Sequence, residues 1–476
     1  MKMTAIQIPA DLNTGQAEAF ATLATYLDTP EDRDIYVLKG WAGTGKTYTI
    51  SKLIQNHLLG NKKFNKDISV TGPTNKSVRV IKQSTGIVNK RISYCTIHKL
   101  LGLTEKITSD GKQEFVPDRF LDSGIETTDI LFIDEVSMLS DDLFTEIIKH
   151  RDRIKIICMG DPCQIPPVGR PDCIPFTEEL YPLYRIKVVE LREVMRQKGD
   201  NPIISKSVTI RKNLGSGCIP NNMANELNDS GEGIIYFDLT SDGHRKDFSS
   251  RLSDLLNSQE FATNSDLVKI IAWRNKTVDH MNAVARKKIY GEDATRSRVL
   301  LGEKMIANSP VFMKDNIVLT TNEEFEIESF DISTDNFRMQ IGDPPSLPME
   351  ISLKHYKANV VHYNDHGNKI RTRIHILHED SESEYQKILT LLKMKAIEKR
   401  GADKSWIKYY NFMRRFADVN FSYATTAHKA QGSTYSHVFL LEDDIDKNWD
   451  VIERNRIKYT AFTRASKNLY ILKKFV

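Results

Sequence analysis

The run Gly40-Trp-Ala-Gly-Thr-Gly-Lys-Thr47 constrains this chain more than any other stretch, because it meets the pattern G-x-x-x-x-G-K-[ST] at every fixed position. Ahead of it, residues 34–38 read as a short buried strand, and behind it residues 48–59 carry apolar side chains at helical spacing. The loop therefore joins a strand to a helix. Gly40, Gly43 and Gly45 let the backbone approach a triphosphate, whose charge is favoured by the N–H groups from Thr44 onward and by the helix dipole. Lys46 would reach the β- and γ-phosphates of ATP, and the Thr47 hydroxyl would bind Mg²⁺.

Further groups downstream suit the same chemistry. Asp129-Ile-Leu-Phe-Ile-Asp-Glu135 is an apolar strand ending in two carboxylates, as expected where a buried parallel strand opens on a ligand crevice. Asp134 would hold Mg²⁺ through its water shell, and Glu135 would orient and deprotonate an attacking water. Alone, an Asp-Glu pair after a strand is a cap for the next helix; with Lys46 and Thr47 upstream it reads as catalytic. Gln164 closes another strand in a Pro-rich loop, and its amide offers a donor and an acceptor to a γ-phosphate or its water. Arg196 is a bidentate phosphate binder by geometry, and Arg464 is placed to reach a γ-phosphate across an interface. Gln16 follows a helix N-cap at Asn13 or Thr14, and its amide matches N7 and N6 of adenine. Taken singly, each of these is also an ordinary surface or capping residue.

At 476 residues the chain has room for about three domains. Hydrophobic residues at 40% and charged residues at 27% exclude the disordered and fibrous classes. No apolar run reaches membrane-spanning length, and residues 1–10 lack a signal pattern, so a cytoplasmic location without membrane attachment is expected. Five cysteines without paired spacing argue against a disulfide framework and structural zinc. The net charge of +4 identifies no partner. Residues 362–415 interleave Lys and Arg with Tyr385, Trp406, Tyr409, Tyr410 and Phe412, which fits a nucleic-acid surface and equally a solvated helix face.

The α/β alternation is interrupted twice. Residues 102–118 have a hairpin signature around an Asp110-Gly111 turn, with Phe115 as the single aromatic. Such a hairpin is either decoration or a surface that stacks on a base pair. After a Gly/Asn/Ser-rich junction at 213–233 the alternation resumes, then gives way over residues 302–378 to short strands with turns at 342–345 and 365–367, read as a small β-barrel-like insert. Helices are expected over 382–399 and 404–416 before the α/β pattern returns.

Together these segments resemble the helicases of superfamily 1, most closely the Dda and RecD-like group. Gln16 looks like the Q motif, 40–47 like motif I, Gly72-Pro-Thr-Asn-Lys76 like Ia, Thr96-Ile-His98 like Ib, Asp134-Glu135 like II, Gly160-Asp-Pro-Cys-Gln164 like III and Val194-Met-Arg-Gln197 like IV. Thr426-Ala-His-Lys-Ala-Gln-Gly432 resembles motif V and Tyr459-Thr-Ala-Phe-Thr-Arg464 motif VI. The resemblance implies an α/β fold of two RecA-like parallel-sheet domains: 1A at 1–100 and 126–197, and 2A at 198–302 and 417–476. It also implies a hairpin insertion 1B at 101–125 and a barrel-like insertion 2B, of SH3-like type, at 303–416. It implies ATP and Mg²⁺ as ligands, with Gln431 and Gly432 added to the nucleotide contacts. Pro73, Thr74, Asn75, Thr96, His98, Thr426 and His428 would contact the strand, and Phe115 would separate it. Asn75 and Ala427 depart from the histidine and the aromatic common at those strand-contacting positions.

The activity expected is an ATP-driven DNA helicase, a monomer moving 5′ to 3′ on single-stranded DNA and opening forked duplexes in a phage-infected or bacterial cell, alongside replication or recombination proteins. The alternatives are an ATP-regulated nucleic-acid-binding switch and a small-molecule P-loop kinase. The hairpin and the insert speak against the first, and motifs V and VI against the second.

Overall fold

Strands that are apolar from end to end must be covered on both faces, and the central strands of two sheets in this chain, such as Ile130–Ile133 and Val268–Ala272, are buried throughout. The computed structural model describes residues 6–61, 64–108, 113–117, 123–167, 169–194, 201–217, 223–313, 316–341, 346–363, 368–399 and 405–475. The chain divides into two units, one of Met1–Gly102, Asp122–Val278 and Thr425–Val476, the other of Leu103–Leu121 and Asp279–Ala424.

Both parallel sheets belong to the first unit. The first runs Ile92–Thr96, Ile68–Gly72, Ile130–Ile133, Lys155–Gly160, Ile35–Gly40, Ile186–Leu191, with every neighbour parallel. Phe20 and Leu23 of the helix Thr14–Asp28 pack with Leu38 and Phe132 of this sheet in one buried core. That helix starts where Asn13 forms a capping box with Gln16, so the expected N-cap is the asparagine. The second sheet runs Ala424–Thr426, Val268–Ala272, Tyr435–Leu441, Ala465–Lys473, Gly233–Asp238, Glu226–Leu227, the last strand antiparallel. Its core joins Ile271, Leu440 and Ile471 to Ile203 and Ile210 of the helix Pro202–Lys212 and to Phe462 of Val451–Phe462.

Two local readings change. The helix expected over 48–59 begins at Lys46, and from Leu53 to Leu59 it widens into π-helical turns. In the second unit the short strands expected after residue 302 are present at Lys304–Ala307, Val311–Met313 and Asn316–Leu319, and are followed by two long ones, Glu324–Met339 and Met349–Tyr363, within an antiparallel sheet of five. The run Asp331-Ile-Ser-Thr-Asp-Asn336 has turn-type composition but stays extended, because each residue is paired across the ladder from Asp331 opposite Lys357 to Asn336 opposite Ser352. The sheet also continues past residue 416, since Val419–Phe421 pairs with Lys304–Ala307. The helices Glu382–Glu398 and Ser405–Met413 share a second apolar cluster with Ile351 and Leu353. The turns expected at 110–111, 342–345 and 365–367 lie outside the described residues.

Among the described residues Cys95, Cys158, Cys163 and Cys173 are free thiols, and no helix is long and apolar enough to cross a membrane.

Within the second unit Glu303 is fully buried and is bound by Arg286, whose Nη2 lies 2.9 Å from Glu303 Oε2 and whose guanidinium also donates to the carbonyls of Ala294 and Ser297. Burial pushes the Glu303 carboxyl up, and Arg286 acts against that shift. Arg286→Ala strands the carboxylate, so a loss of about 3–5 kcal/mol is expected. Hydrogen exchange would report it as lost protection of Lys304–Ala307 and Glu324–Met339.

Candidate active site

Between Gly40 and Lys46 the chain reverses with no space for side chains at two of its glycines. Gly43 and Gly45 both adopt φ +82°, and a Cβ on Gly45 would stand 2.3 Å from Gln16 Nε2. A Cβ on Gly40 would stand 2.6 Å from Thr44 Oγ1. The Thr44 hydroxyl, inside the turn, donates to the Trp41 carbonyl at 2.9 Å. The Lys46 ammonium lies back along the loop, donating to the carbonyls of Gly40 at 2.7 Å and Trp41 at 3.1 Å.

A cavity of about 510 Å³ opens over this loop. Gln16, Gly43, Gly45, Lys46, Thr47, Asp134, Glu135 and Gln164 line it from the first sheet's side, and Gly432 and Arg464 from the second's. These called residues, at sequence positions up to 448 apart, share one cavity within the first unit, whereas Gly40 and Thr44, also called for nucleotide contact, are not on its wall.

Each wall residue is held for a physical reason. Asp134 follows the strand Ile130–Ile133, and its Oδ1 accepts the Glu135 N–H at 2.9 Å. Glu135 sits at φ 49°, a left-handed conformation that costs an ordinary residue energy and re-aims its carboxylate. Gln164 is 4% exposed, and among the described residues its Oε1 has no hydrogen-bond partner. Arg464 is also buried; its Nε donates to the Thr460 carbonyl at 3.0 Å and its Nη1 to the Ser433 carbonyl at 2.9 Å. Gly432 takes φ +72°, and a Cβ there would lie 3.9 Å from Glu135 Oε1, which places the two sheets' contributions side by side.

Two nucleotide-contact expectations meet prior commitments. Gln16 lines the cavity, yet its Oε1 accepts the Asn13 N–H in the capping box and its Nε2 donates to the Thr44 carbonyl at 3.1 Å. Gln431 is off the cavity wall, where its Nε2 donates to the Ile165 carbonyl at 2.9 Å. Arg196 lies outside the described residues.

The residues called for strand contact lie apart from the cavity wall. Pro73, Thr74 and Asn75 are half-buried at the start of the helix Asn75–Thr85, where the Thr74 hydroxyl caps Ser77 N. Thr96 likewise caps the turn Ile97–Leu100 that carries His98. Thr426 is buried, and its Oγ1 accepts the Lys429 N–H at 3.3 Å. Burial pushes the His98 and His428 imidazoles down, so both favour the neutral form, which can hydrogen-bond a phosphate but adds no charge. Ala427 is corrected: it is fully buried in the second core and cannot replace an aromatic at a strand surface. Phe115, in the second unit, is 56% exposed on the hairpin Leu103–Ile107 and Gln113–Pro117, opposite Glu105.

Sequence reasoning quoted Asp161 and Tyr459 inside motifs and gave neither a role. Asp161 is fully buried and accepts the Ala42 N–H at 2.8 Å and the Tyr459 hydroxyl at 2.7 Å. Burial, then the Asp161 charge, raises the Tyr459 phenol well above its usual range, which keeps it a donor. No local pattern signals this link, since its partners come from separate elements.

Comparison with known proteins matches an AAA domain to residues 11–226 and a UvrD-like helicase C-terminal domain to residues 421–472. An uncharacterized protein of Acanthamoeba polyphaga mimivirus is 28% identical over 91% of this chain and 94% of its own length. The ATP-dependent DNA helicase dda of Enterobacteria phage T4 is 25% identical over 97% and 99% respectively. A crystal structure of a Bacteroides Pif1 helicase aligns over 96% of this chain and 92% of that one, with a TM-score of 0.48 and 15% identity.

Because the Gln16 amide occupies the space a Cβ on residue 45 would need, Gly45→Ala is expected to weaken nucleotide binding at least ~10-fold, left-handed strain alone accounting for ~1–2 kcal/mol. Gln16→Ala removes the bond that holds the Thr44 carbonyl and should weaken binding as well, so titration with a fluorescent ATP analogue should show no recovery in the double variant.

Proposed function

The chain belongs to the superfamily 1 helicases as a relative of the Dda and Pif1 proteins, and on that premise we propose that its cavity hydrolyses ATP to move the protein along single-stranded DNA and open the duplex ahead. It is an ATP-dependent DNA helicase. The observation that carries the assignment of roles is the joint lining of one cavity by Lys46, Glu135 and Gln164 with Gly432 and Arg464.

ATP enters with its phosphates over the loop 43–47, whose N–H groups open the helix Lys46–Lys52. Lys46 exchanges the Gly40 and Trp41 carbonyls for phosphate oxygens. Glu135 takes a proton from the attacking water, and the unpartnered Gln164 Oε1 is free to accept from that water and orient it. Arg464 offsets the charge that develops on the γ-phosphoryl group, and Arg196 joins it as a second phosphate contact. Gln16 holds the loop through Thr44 and presents its remaining amide capacity to adenine. The hard oxygens of Thr47 and Asp134, both on the cavity wall, fit Mg²⁺, which would neutralise phosphate charge when bound.

The strand passes over Pro73, Thr74, Asn75, Thr96 and His98 on one half and Thr426 and His428 on the other. Because hydrolysis alternates the spacing of the halves, these groups grip it in turn. Phe115, exposed on its hairpin, stacks on the pair being opened; a base-pair step costs ~1.4 kcal/mol to unstack, which a single wedge can meet. Movement is 5′ to 3′, the protein acts as a monomer, and its partners beyond DNA are replication or recombination proteins. Thiols outside any disulfide at Cys158 and Cys173 support a reducing, cytoplasmic setting, and the phage relative supports a phage-infected or bacterial cell.

Lys46→Ala should abolish strand-stimulated ATPase, and Glu135→Gln should retain ATP binding while lowering kcat by ~10²–10⁴. Retained turnover in either variant would remove that residue from its role. With tailed duplexes, a 5′ tail should support unwinding and a 3′ tail should not. Phe115→Ala should lose unwinding and keep translocation, both followed by a dye at the strand end.

A further inference from the structure

The second residue of the phosphate loop is a tryptophan, and phosphate binding asks for no side chain there. The Arg211 guanidinium carbon lies 3.5 Å from the centroid of the Trp41 ring, a direct cation–π stack. Arg211 sits at the end of the helix Pro202–Lys212, whose Ile203 and Ile210 are members of the second sheet's core. One residue on, the Ala42 N–H is shared between Asp161 Oδ2 at 2.8 Å and Tyr459 Oη at 3.2 Å, and Tyr459 is on a helix of that same core. On its other side, the Trp41 carbonyl accepts from Thr44 Oγ1 and from Lys46 Nζ. The 41–42 segment is thus tied to the first half by Asp161 and to the second by Tyr459 at the N–H and Arg211 at the indole, and its Trp41 carbonyl holds the lysine that must reach phosphate.

We propose that Arg211 and Tyr459 are positioning residues that make the phosphate loop follow the second sheet, so that strand binding there sets the reach of Lys46 through Trp41 and Ala42. This deepens the helicase reading above and rests on it. A shift of the second half moves the guanidinium and the phenol together, the stacked indole and the shared N–H move with them, and the Trp41 carbonyl releases or retains Lys46. Arginine serves here because its planar face stacks on the indole, which an ammonium cannot do equally.

The test measures ATPase kcat and KM with and without single-stranded DNA in the full chain, for the native protein, Arg211→Gln, Arg211→Lys and Tyr459→Phe. The ratio of strand-stimulated to strand-free kcat is expected to fall about tenfold in Arg211→Gln and Tyr459→Phe while KM for ATP changes less than about twofold. Arg211→Lys is expected to restore little of it. Trp41 emission, identified by its loss in Trp41→Phe, should shift on adding DNA to the native protein and stay unchanged in Arg211→Gln. Native-like stimulation ratios in both Arg211→Gln and Tyr459→Phe would overturn the proposal, as would an equal fall with and without DNA that tracks a lowered Tm. A native protein whose ATPase ignores DNA would overturn the helicase reading and this inference together, an outcome distinct from intact stimulation that the variants leave untouched. Should Arg211→Gln fail to fold, Tyr459→Phe, which deletes only the hydroxyl, decides the matter by the same ratio.

Discussion

The tight approach of the Gln16 amide to the backbone of Gly45 is the contact on which the nucleotide site depends. Loop residues can present their N–H groups to a phosphate only if the turn is held, and at its Thr44 end it is held by the Gln16 Nε2 bond to the Thr44 carbonyl. That amide stands where it does because Gln16 is also the third residue of a capping box that starts the helix Thr14–Asp28. A helix start, a left-handed glycine and an anion site are therefore one structure. The π-helical turns that follow from Leu53 leave the first turn of the phosphate helix unaltered.

The other wall of the cavity depends on burying polar groups at close quarters. Arg464 is removed from water and held by main-chain carbonyls, and Asp161 is fully buried against one N–H of the loop and one phenol. Such groups are expensive to bury without partners and rigid once they have them. Among the described residues the exception is Gln164 Oε1, a buried acceptor with no protein partner, where an unmet hydrogen bond costs ~1–3 kcal/mol.

Much of this was legible residue by residue. The loop 40–47, the apolar strand before Asp134 and the helices after residue 381 follow from spacing that any short window contains. Other readings failed because burial is not local. Ala427 looks like a small residue at a strand surface and is a core methyl; Gln431 sits in a nucleotide motif and spends its amide on Ile165.

What the sequence by itself determined is the chemistry available at each point and the local geometry that presents it: glycines at left-handed turns, caps at helix starts, carboxylates at the end of a buried strand. These depend on neighbours within a few residues, where the chain has few alternatives. Tertiary structure alone decided which distant groups meet. Ala42 and Tyr459 are 417 residues apart, and Trp41 and Arg211 lie on different halves, yet both pairs are in contact. No spacing rule encodes such meetings, because closing so long a loop gains nothing until the cores on both sides have packed. The partner of the phosphate loop is thus a property of the packed halves and not of the loop's own sequence.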